Sequence, residues 1–395
     1  MSAFPNFLLP LGIAAGTALY YFAFVVRQPK VRMSSSRFTQ QVFSKMPSLK
    51  SAFRPPIFAF NGHLQIILMQ IMQRLDSRKD IQFAREHVPL KDGGEVALDW
   101  AIPPDIFRIP HHAPVVIILH TITGDSVDCV QAIRSAHKAG MHAVVFLRRG
   151  HLGIPRPTPQ YNLLGSTADM RVMVDRVHRK HPMSKLLGIG ISAGTGCLVR
   201  YLGEENLSNR YPFVAGACVC PGYDTRLGLA FARMKHGLFG FYDWYILKVV
   251  KRVFLQQLQS EDLARMPKGT KECLEARSLG ELQENGYMLE GFDSVEEYVD
   301  NTNPVGVASH IKTPMLALNA KDDPVCVHQN VEDNVHLFDG SDHHRMLVLT
   351  ERGSHCCYFE GMFVPKEMPW CWPVVFEYFE AVLESAHMLD DTGSS

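Results

Sequence analysis

Residues 185–196 read KLLGIGISAGTG: a strand-like apolar run, a serine set between Gly190 and Gly194, and then the helix-forming face Cys197-Leu198-Val199-Arg200-Tyr201-Leu202. A turn tight enough to lift a serine hydroxyl off the end of a strand leaves no room for bulk beside it, and small residues at 190 and 194 supply that room. Ser192 is therefore the candidate nucleophile. The blander reading is a glycine-rich turn with an inert serine, so partners elsewhere must decide. GISAGTG is not a phosphate loop, because it lacks the lysine and final Ser/Thr, and it is not a G-x-G-x-x-G in register.

A serine hydroxyl needs a base, and the base needs an orienting acid. Where a serine stands on such an elbow, both come later in the chain, the acid before the histidine. The run MLALNA (315–320) is followed by Lys321-Asp322-Asp323-Pro324, and MLVLT (346–350) by Glu351-Arg352-Gly353-Ser354-His355. Both loops follow late strands. His355 is the expected base, and Asp323 is preferred over Asp322 as the acid, with the spare carboxylate free to order the loop. His343 and His344 precede the last strand and fall at its wrong end. The developing oxyanion needs two backbone N–H groups. Ala193 opens the helix after the elbow, and Ile122 lies in the loop HTITGD (120–125) after the first buried strand; these are the expected donors.

Outward from the elbow the chain alternates. PVVIILH (114–120), AVVFLR (143–148) and FVAGACV (213–219) are short β-branched or apolar runs of the kind buried on both faces of a parallel sheet, with helical stretches near 127–139, 166–180 and 193–203 between them. REHVPLKDGGEVALDWAIP (85–103) reads as a hairpin turning at Asp92-Gly93-Gly94. From 223 to 303 the alternation stops, and helix and loop take over, including the aromatic-rich HGLFGFYDWYILKVVKRVFLQQL (236–258). Since neither flank makes a complete sheet alone, 61–222 and 304–390 are expected to form one core, with 223–303 an inserted lid and 391–395 a tail.

The N-terminus carries a different message. Residues 1–26 hold no charged side chain, and 7–26 read FLLPLGIAAGTALYYFAFVV. Twenty residues at ~1.5 Å each match the ~30 Å hydrocarbon layer. The basic flank Arg27, Lys30, Arg32, Arg37 argues for a retained single-pass anchor over residues 1–30 and against a cleaved signal peptide. By the positive-inside rule the remainder faces the cytosol, with an internal membrane such as the endoplasmic reticulum as the expected location. Residues 31–60, rich in serine, proline and basic residues, read as a juxtamembrane linker.

Composition excludes other classes. The chain has 395 residues with 46% hydrophobic content, ample for a large core and unlike a disordered or fibrous protein. Forty basic residues balance forty acidic ones, so no nucleic-acid footprint is present. Nine cysteines, an odd number without C-x-x-C spacing, form neither a disulfide framework nor a zinc motif. No metal or nucleotide cofactor is called for, and no obligatory protein partner is implied.

Several blocks in one order resemble the α/β-hydrolase superfamily, and within it the branch holding bacterial YheT-like proteins and eukaryotic membrane-anchored α/β-hydrolase-domain proteins, the AB hydrolase 4 family. The blocks are Asn61-Gly62-His63-Leu64-Gln65, His120 to Ser126, Arg149-Gly150-His151, the Ser192 elbow, FDSVEEYVDNTNP (292–304), Asn319 to Pro324 and Gly353 to His355. Thr121 departs from the glycine usual in that branch, which puts the geometry of the oxyanion loop in question. The resemblance implies an α/β-hydrolase fold: a mostly parallel sheet of about eight strands with helices on both faces, a helical lid, and one transmembrane helix in front. It implies a Ser192-Asp323-His355 triad acting on lipid esters at a membrane, as a serine esterase or lipase, or as an acyltransferase using the same acyl-enzyme; a catalytically silent interaction protein on the same fold is the remaining alternative. His120 and Asp125 match a proposed H-x4-D acyltransferase signature, although that histidine is better read as bracing the oxyanion loop.

Overall fold

The buried runs seen in the sequence are neighbours in one sheet. The computed structural model describes residues 5–75, 81–104, 108–151, 153–154, 158, 160, 162–226, 229–255 and 268–390; the expected tail and residues 256–267 of the insertion lie outside them. The strands are β1 (Lys30–Met33), β2 (Gln82–Pro89), β3 (Glu95–Ile102), β4 (Val115–Leu119), β5 (His142–Leu147), β6 (Leu186–Ile191), β7 (Ala215–Val219), β8 (Met315–Ala320) and β9 (Arg345–Thr350). They lie in the order β1-β9-β8-β7-β6-β4-β5-β3-β2. The alternating side chains of β4 explain why its sequence is apolar throughout. Val116 and Ile118 face one core with Ile133, Phe376 and Phe379, while Val115, Ile117 and Leu119 face a second with Met170, Leu198 and Leu202.

The expected mostly parallel sheet of about eight strands is corrected. Among the described residues the sheet has nine strands and is mixed. The central pairs from β5 to β9 are parallel, whereas β3 runs antiparallel to β5, β2 to β3, and β1 to β9. The hairpin at Asp92-Gly93-Gly94 forms as read, with Gly93 at φ +82° and Leu90 N–H donating to Gly94 O at 2.8 Å.

The transmembrane helix is corrected as well, and with it the membrane-anchored branch of the resemblance, the membrane partner and the single-pass location in an internal membrane. Helix α1 (Pro5–Tyr20) has 16 residues, about 24 Å at 1.5 Å per residue and short of the hydrocarbon layer. The apolar run does continue, through a wide turn over Tyr21–Val25, but that turn packs onto the rest of the molecule. Tyr21 and Val25 are buried, Tyr21 Oη donates to Pro55 O at 2.6 Å, and Val26 is extended. No helix among the described residues is long and apolar enough to cross a membrane.

Residues 31–60, read as a linker, carry most of β1 and helix α2 (Arg37–Ser44), whose Phe38 and Val42 join the first core. Helix α3 (Gly62–Leu75) follows. The helices α4 (Val130–Lys138), α5 (Thr167–Lys180) and α6 (Ala193–Leu207) alternate with the central strands, and Cys371–Ser385 closes the first face. Between β7 and β8 the described residues form helices and turns without a strand, beginning with α7 (Leu229–His236) and α8 (Phe241–Val250). This region has an apolar centre of its own, where Met234, Tyr242, Leu247 and Val250 meet Leu279 and Leu282.

Candidate active site

Because β4, β6, β8 and β9 are parallel, the loops that follow them open on one edge of the sheet. That topology gathers Thr121–Thr123, Ser192, Asp323 and His355 from distant parts of the chain.

Ser192 sits between β6 and α6 with φ 52° and ψ −117°, a left-handed backbone that a residue with a Cβ enters only under strain. Its neighbours explain why the turn is glycine-rich. A Cβ on Gly190 would lie 2.6 Å from Thr195 Cα, and one on Gly194 would lie 2.2 Å from Leu119 O. The turn is locked from outside, with Ser192 N–H donating to Val219 O at 2.9 Å and Thr195 Oγ1 donating to Ser192 O at 2.5 Å.

His355 Nε2 stands 2.8 Å from Ser192 Oγ, and His355 Nδ1 stands 2.8 Å from Asp323 Oδ2. The other Asp323 oxygen accepts the N–H groups of Val325 at 2.8 Å and Cys326 at 2.9 Å, which fixes the carboxylate. Asp322 faces a different partner: its Oδ1 accepts Ser354 N–H at 2.9 Å, while Ser354 Oγ donates to Gly62 O at 2.7 Å. Those bonds hold a sharply folded loop, with Ser354, Cys356 and Tyr358 all at positive φ.

The charges follow from burial and neighbours. Burial opposes a charged His355 ring, but the Asp323 carboxylate outweighs it and holds the imidazole well above its ordinary range. Burial pushes the Asp322 carboxyl up to about 6, against the pull of the Ser354 N–H and Arg352. His120 and His151 stay neutral, the first well below its ordinary range and the second lowered to about 3, because both are buried beside the Arg148 guanidinium.

Those three side chains shape the loop after β4. Arg148 Nη2 donates to Thr121 O at 2.6 Å, with His120 Nδ1 at 2.8 Å from the same oxygen, and His151 Nε2 lies 3.3 Å from Ile122 O. In a trans peptide the N–H points opposite the C=O. Tying the Thr121 carbonyl back to Arg148 therefore turns the Ile122 N–H away from it. Ala193 is the first residue of α6, where backbone N–H groups have no partner within the helix. Ile122 and Ala193 both line the cavity that contains Ser192. His120 and Asp125 have separate partners, since Asp125 Oδ1 accepts Asp128 N–H at 2.9 Å. Sequence pattern alone gives little reason to single out Arg148. The only signal for it is an arginine ending an otherwise apolar strand, AVVFLR.

The cavity over Ser192 and His355 measures about 640 Å³ and is mainly apolar, walled by Met69, Phe231, Met234, Ile246, Leu279 and Trp372. The described residues also offer two clusters able to hold a metal ion, and both include His355: Cys220 with Cys356, and Asp323 with Cys326.

Similar proteins span most of this chain. Embryogenesis-associated protein EMB8 of Picea glauca is 26% identical across 87% of the chain and 75% of its own length. Phospholipase ABHD3 of Homo sapiens is 23% identical across 96% of the chain and 91% of its own length. Monoacylglycerol lipase ABHD2 of Homo sapiens is 23% identical across 90% and 86% respectively. Residues 110–361, from just before β4 to just beyond His355, match the family described as Hydrolase_4, serine aminopeptidase, S33. On that match, the chain belongs to the Hydrolase_4 family and is an enzyme of the serine-hydrolase fold, related to esterases and lipases.

Proposed function

We propose that this chain is a serine carboxylic-ester hydrolase that cleaves acyl esters of lipids through an acyl-enzyme on Ser192. The observation that carries the reading is the continuous relay Ser192 Oγ–His355–Asp323, joined by two contacts of 2.8 Å. His355 Nε2 takes the hydroxyl proton as Ser192 Oγ attacks the ester carbonyl, and Asp323 keeps the other ring nitrogen protonated and stabilises the imidazolium. The N–H groups of Ile122 and Ala193 hold the oxyanion. His355 then protonates the leaving alcohol, and water admitted to the same position releases the acid.

The lipid part of the reading is supported by the cavity. At about 640 Å³ it falls within the ordinary range for small-ligand pockets, and its methionine, phenylalanine, isoleucine and leucine walls suit an acyl chain. The helical segment between β7 and β8 supplies Phe231, Met234, Ile246 and Leu279 to that wall, which fits the role of a lid. Two relatives are named as a phospholipase and a monoacylglycerol lipase.

The test is acyl-product analysis on a panel of phospholipid and glyceride esters, with and without an alcohol acceptor, beside fluorophosphonate labelling. Wild type should release free fatty acid and take the label, and Ser192→Ala should do neither. Transfer to the acceptor exceeding hydrolysis would make the enzyme an acyltransferase. Undiminished turnover in Ser192→Ala would remove the mechanism.

A further inference from the structure

Two thiols approach His355 from different elements. Cys220 follows β7, and Cys356 follows the histidine itself; both have left-handed backbone, at φ 54° and 61°. Their geometry is coupled, since Cys356 N–H donates to Cys220 Sγ at 3.1 Å. Cys220 Sγ also lies 3.7 Å from Ser354 O. The two sulfurs and a ring nitrogen of His355 all fall within 4.8 Å of one another. We propose that Cys220, Cys356 and His355 form a binding site for a zinc-class divalent cation, and that filling it switches hydrolysis off.

The donor set carries the first half. Two thiolates and an imidazole are the ligands that borderline-soft cations select over magnesium or calcium. Tetrahedral sulfur ligands at ~2.3 Å from zinc stand about 3.8 Å apart, so the cluster would contract by about 1 Å at most. Both thiols bind as thiolates and release their protons to solvent. His355 and Cys356 line the substrate cavity, which gives an ion its way in, and Cys220 is buried behind them. The alternative set of Asp323, Cys326 and His355 has one thiol fewer and suits such a cation less well.

The second half follows from the ring and rests on reading His355 as the base. Its two nitrogens are the ones facing Ser192 and Asp323. A cation on either one displaces one end of the relay. Bound metal and proton transfer therefore exclude each other.

The experiment uses the full chain stripped with a chelator. Cobalt(II) is titrated while thiolate-to-cobalt charge-transfer absorption is recorded, and zinc(II) is titrated during ester turnover. Cys220→Ser, Cys356→Ala and the double variant are each compared with their own metal-free rate. Wild type should show the band and lose turnover on zinc addition over a single saturable range, and chelator should restore the rate. Each single variant should bind more weakly by more than about 10-fold, the loss that even an outer-shell change produces. No band, or a band and inhibition unchanged in the double variant, overturns the site. If His355→Ala keeps its fluorophosphonate labelling, the reading of His355 as base fails instead, and the cobalt band still decides the site.

Discussion

Asp322 and Asp323 are adjacent in the chain and turn their carboxylates to different partners: Asp323 Oδ2 to His355 Nδ1 at 2.8 Å, and Asp322 Oδ1 to the N–H of Ser354 at 2.9 Å. One carboxylate faces the ring, and the other ties down the loop that carries it. Asp323→Asn should fold and lose about 10⁴-fold in kcat through a misplaced tautomer. Asp322→Asn keeps an oxygen for Ser354 and should lose far less. The reverse ranking would exchange the two roles.

The same pair predicts a stability difference with a definite sign. Burial raises the Asp322 carboxyl from 3.8 to about 6. A carboxyl whose folded pKa is raised stabilises the fold below its unfolded pKa, and that contribution is lost as pH rises through the folded one. Between pH 4 and 7 wild type should therefore lose stability that Asp322→Asn, which has nothing to ionise, retains. Denaturant titrations of both proteins at the two pH values measure the crossing. Parallel curves would mean that Asp322 is solvated.

His355 gives the matching prediction for catalysis. Burial lowers its pKa and Asp323 raises it by more, leaving the ring well above 6.5. In the proposed mechanism acylation needs the neutral ring, so the acid limb of kcat/KM should lie above 6.5. In Asp323→Asn the charge is gone and burial remains, so the limb of the residual activity should move to lower pH. A limb that does not move would show that Asp323 does not set the titration of the ring.

The elbow was legible because Gly190 and Gly194 answer a steric demand that any sequence must meet. The loops that carry Asp323 and His355 were legible because each follows a recognisable buried strand. The N-terminus misled for a physical reason. Hydropathy counts twenty apolar residues, but it cannot register that Tyr21 and Val25 turn inward and end the helix on the protein itself. The sheet edges were hidden differently. β1 is only KVRM, four residues with two charges, and gains its place by pairing Lys30 to Met33 with Leu349 to Met346. Arg148 leaves no periodic trace, because its part depends on carbonyls brought to it by the fold.

Arg148 joins the loop after β4 at Thr121 O to the loop after β5 at Leu163 O, at 2.6 and 2.8 Å. Arg148→Lys keeps the cation and loses the two-pronged reach. If the guanidinium aims the Ile122 N–H, kcat should fall by up to about 10²-fold with KM little changed, since an oxyanion donor acts in the transition state. A thermal melt alongside the kinetics separates this from unfolding. A rise in KM at constant kcat would assign Arg148 to substrate binding.

The backbone of Ser192 makes the last prediction, about stability alone. At φ 52° and ψ −117° its Cβ is carried in a region that glycine enters freely. Such strain costs roughly 1–3 kcal/mol. Ser192→Ala keeps the Cβ, and Ser192→Gly removes it, at a cost of about 0.5–1 kcal/mol in unfolded-chain entropy. Neither variant keeps the proposed nucleophile, so activity does not enter the comparison. Ser192→Gly should be more stable than Ser192→Ala by about 1 kcal/mol in denaturant titration, although glycine substitutions usually destabilise. Equal stabilities would mean that the turn is relaxed, and the sharp elbow would then cost the fold nothing.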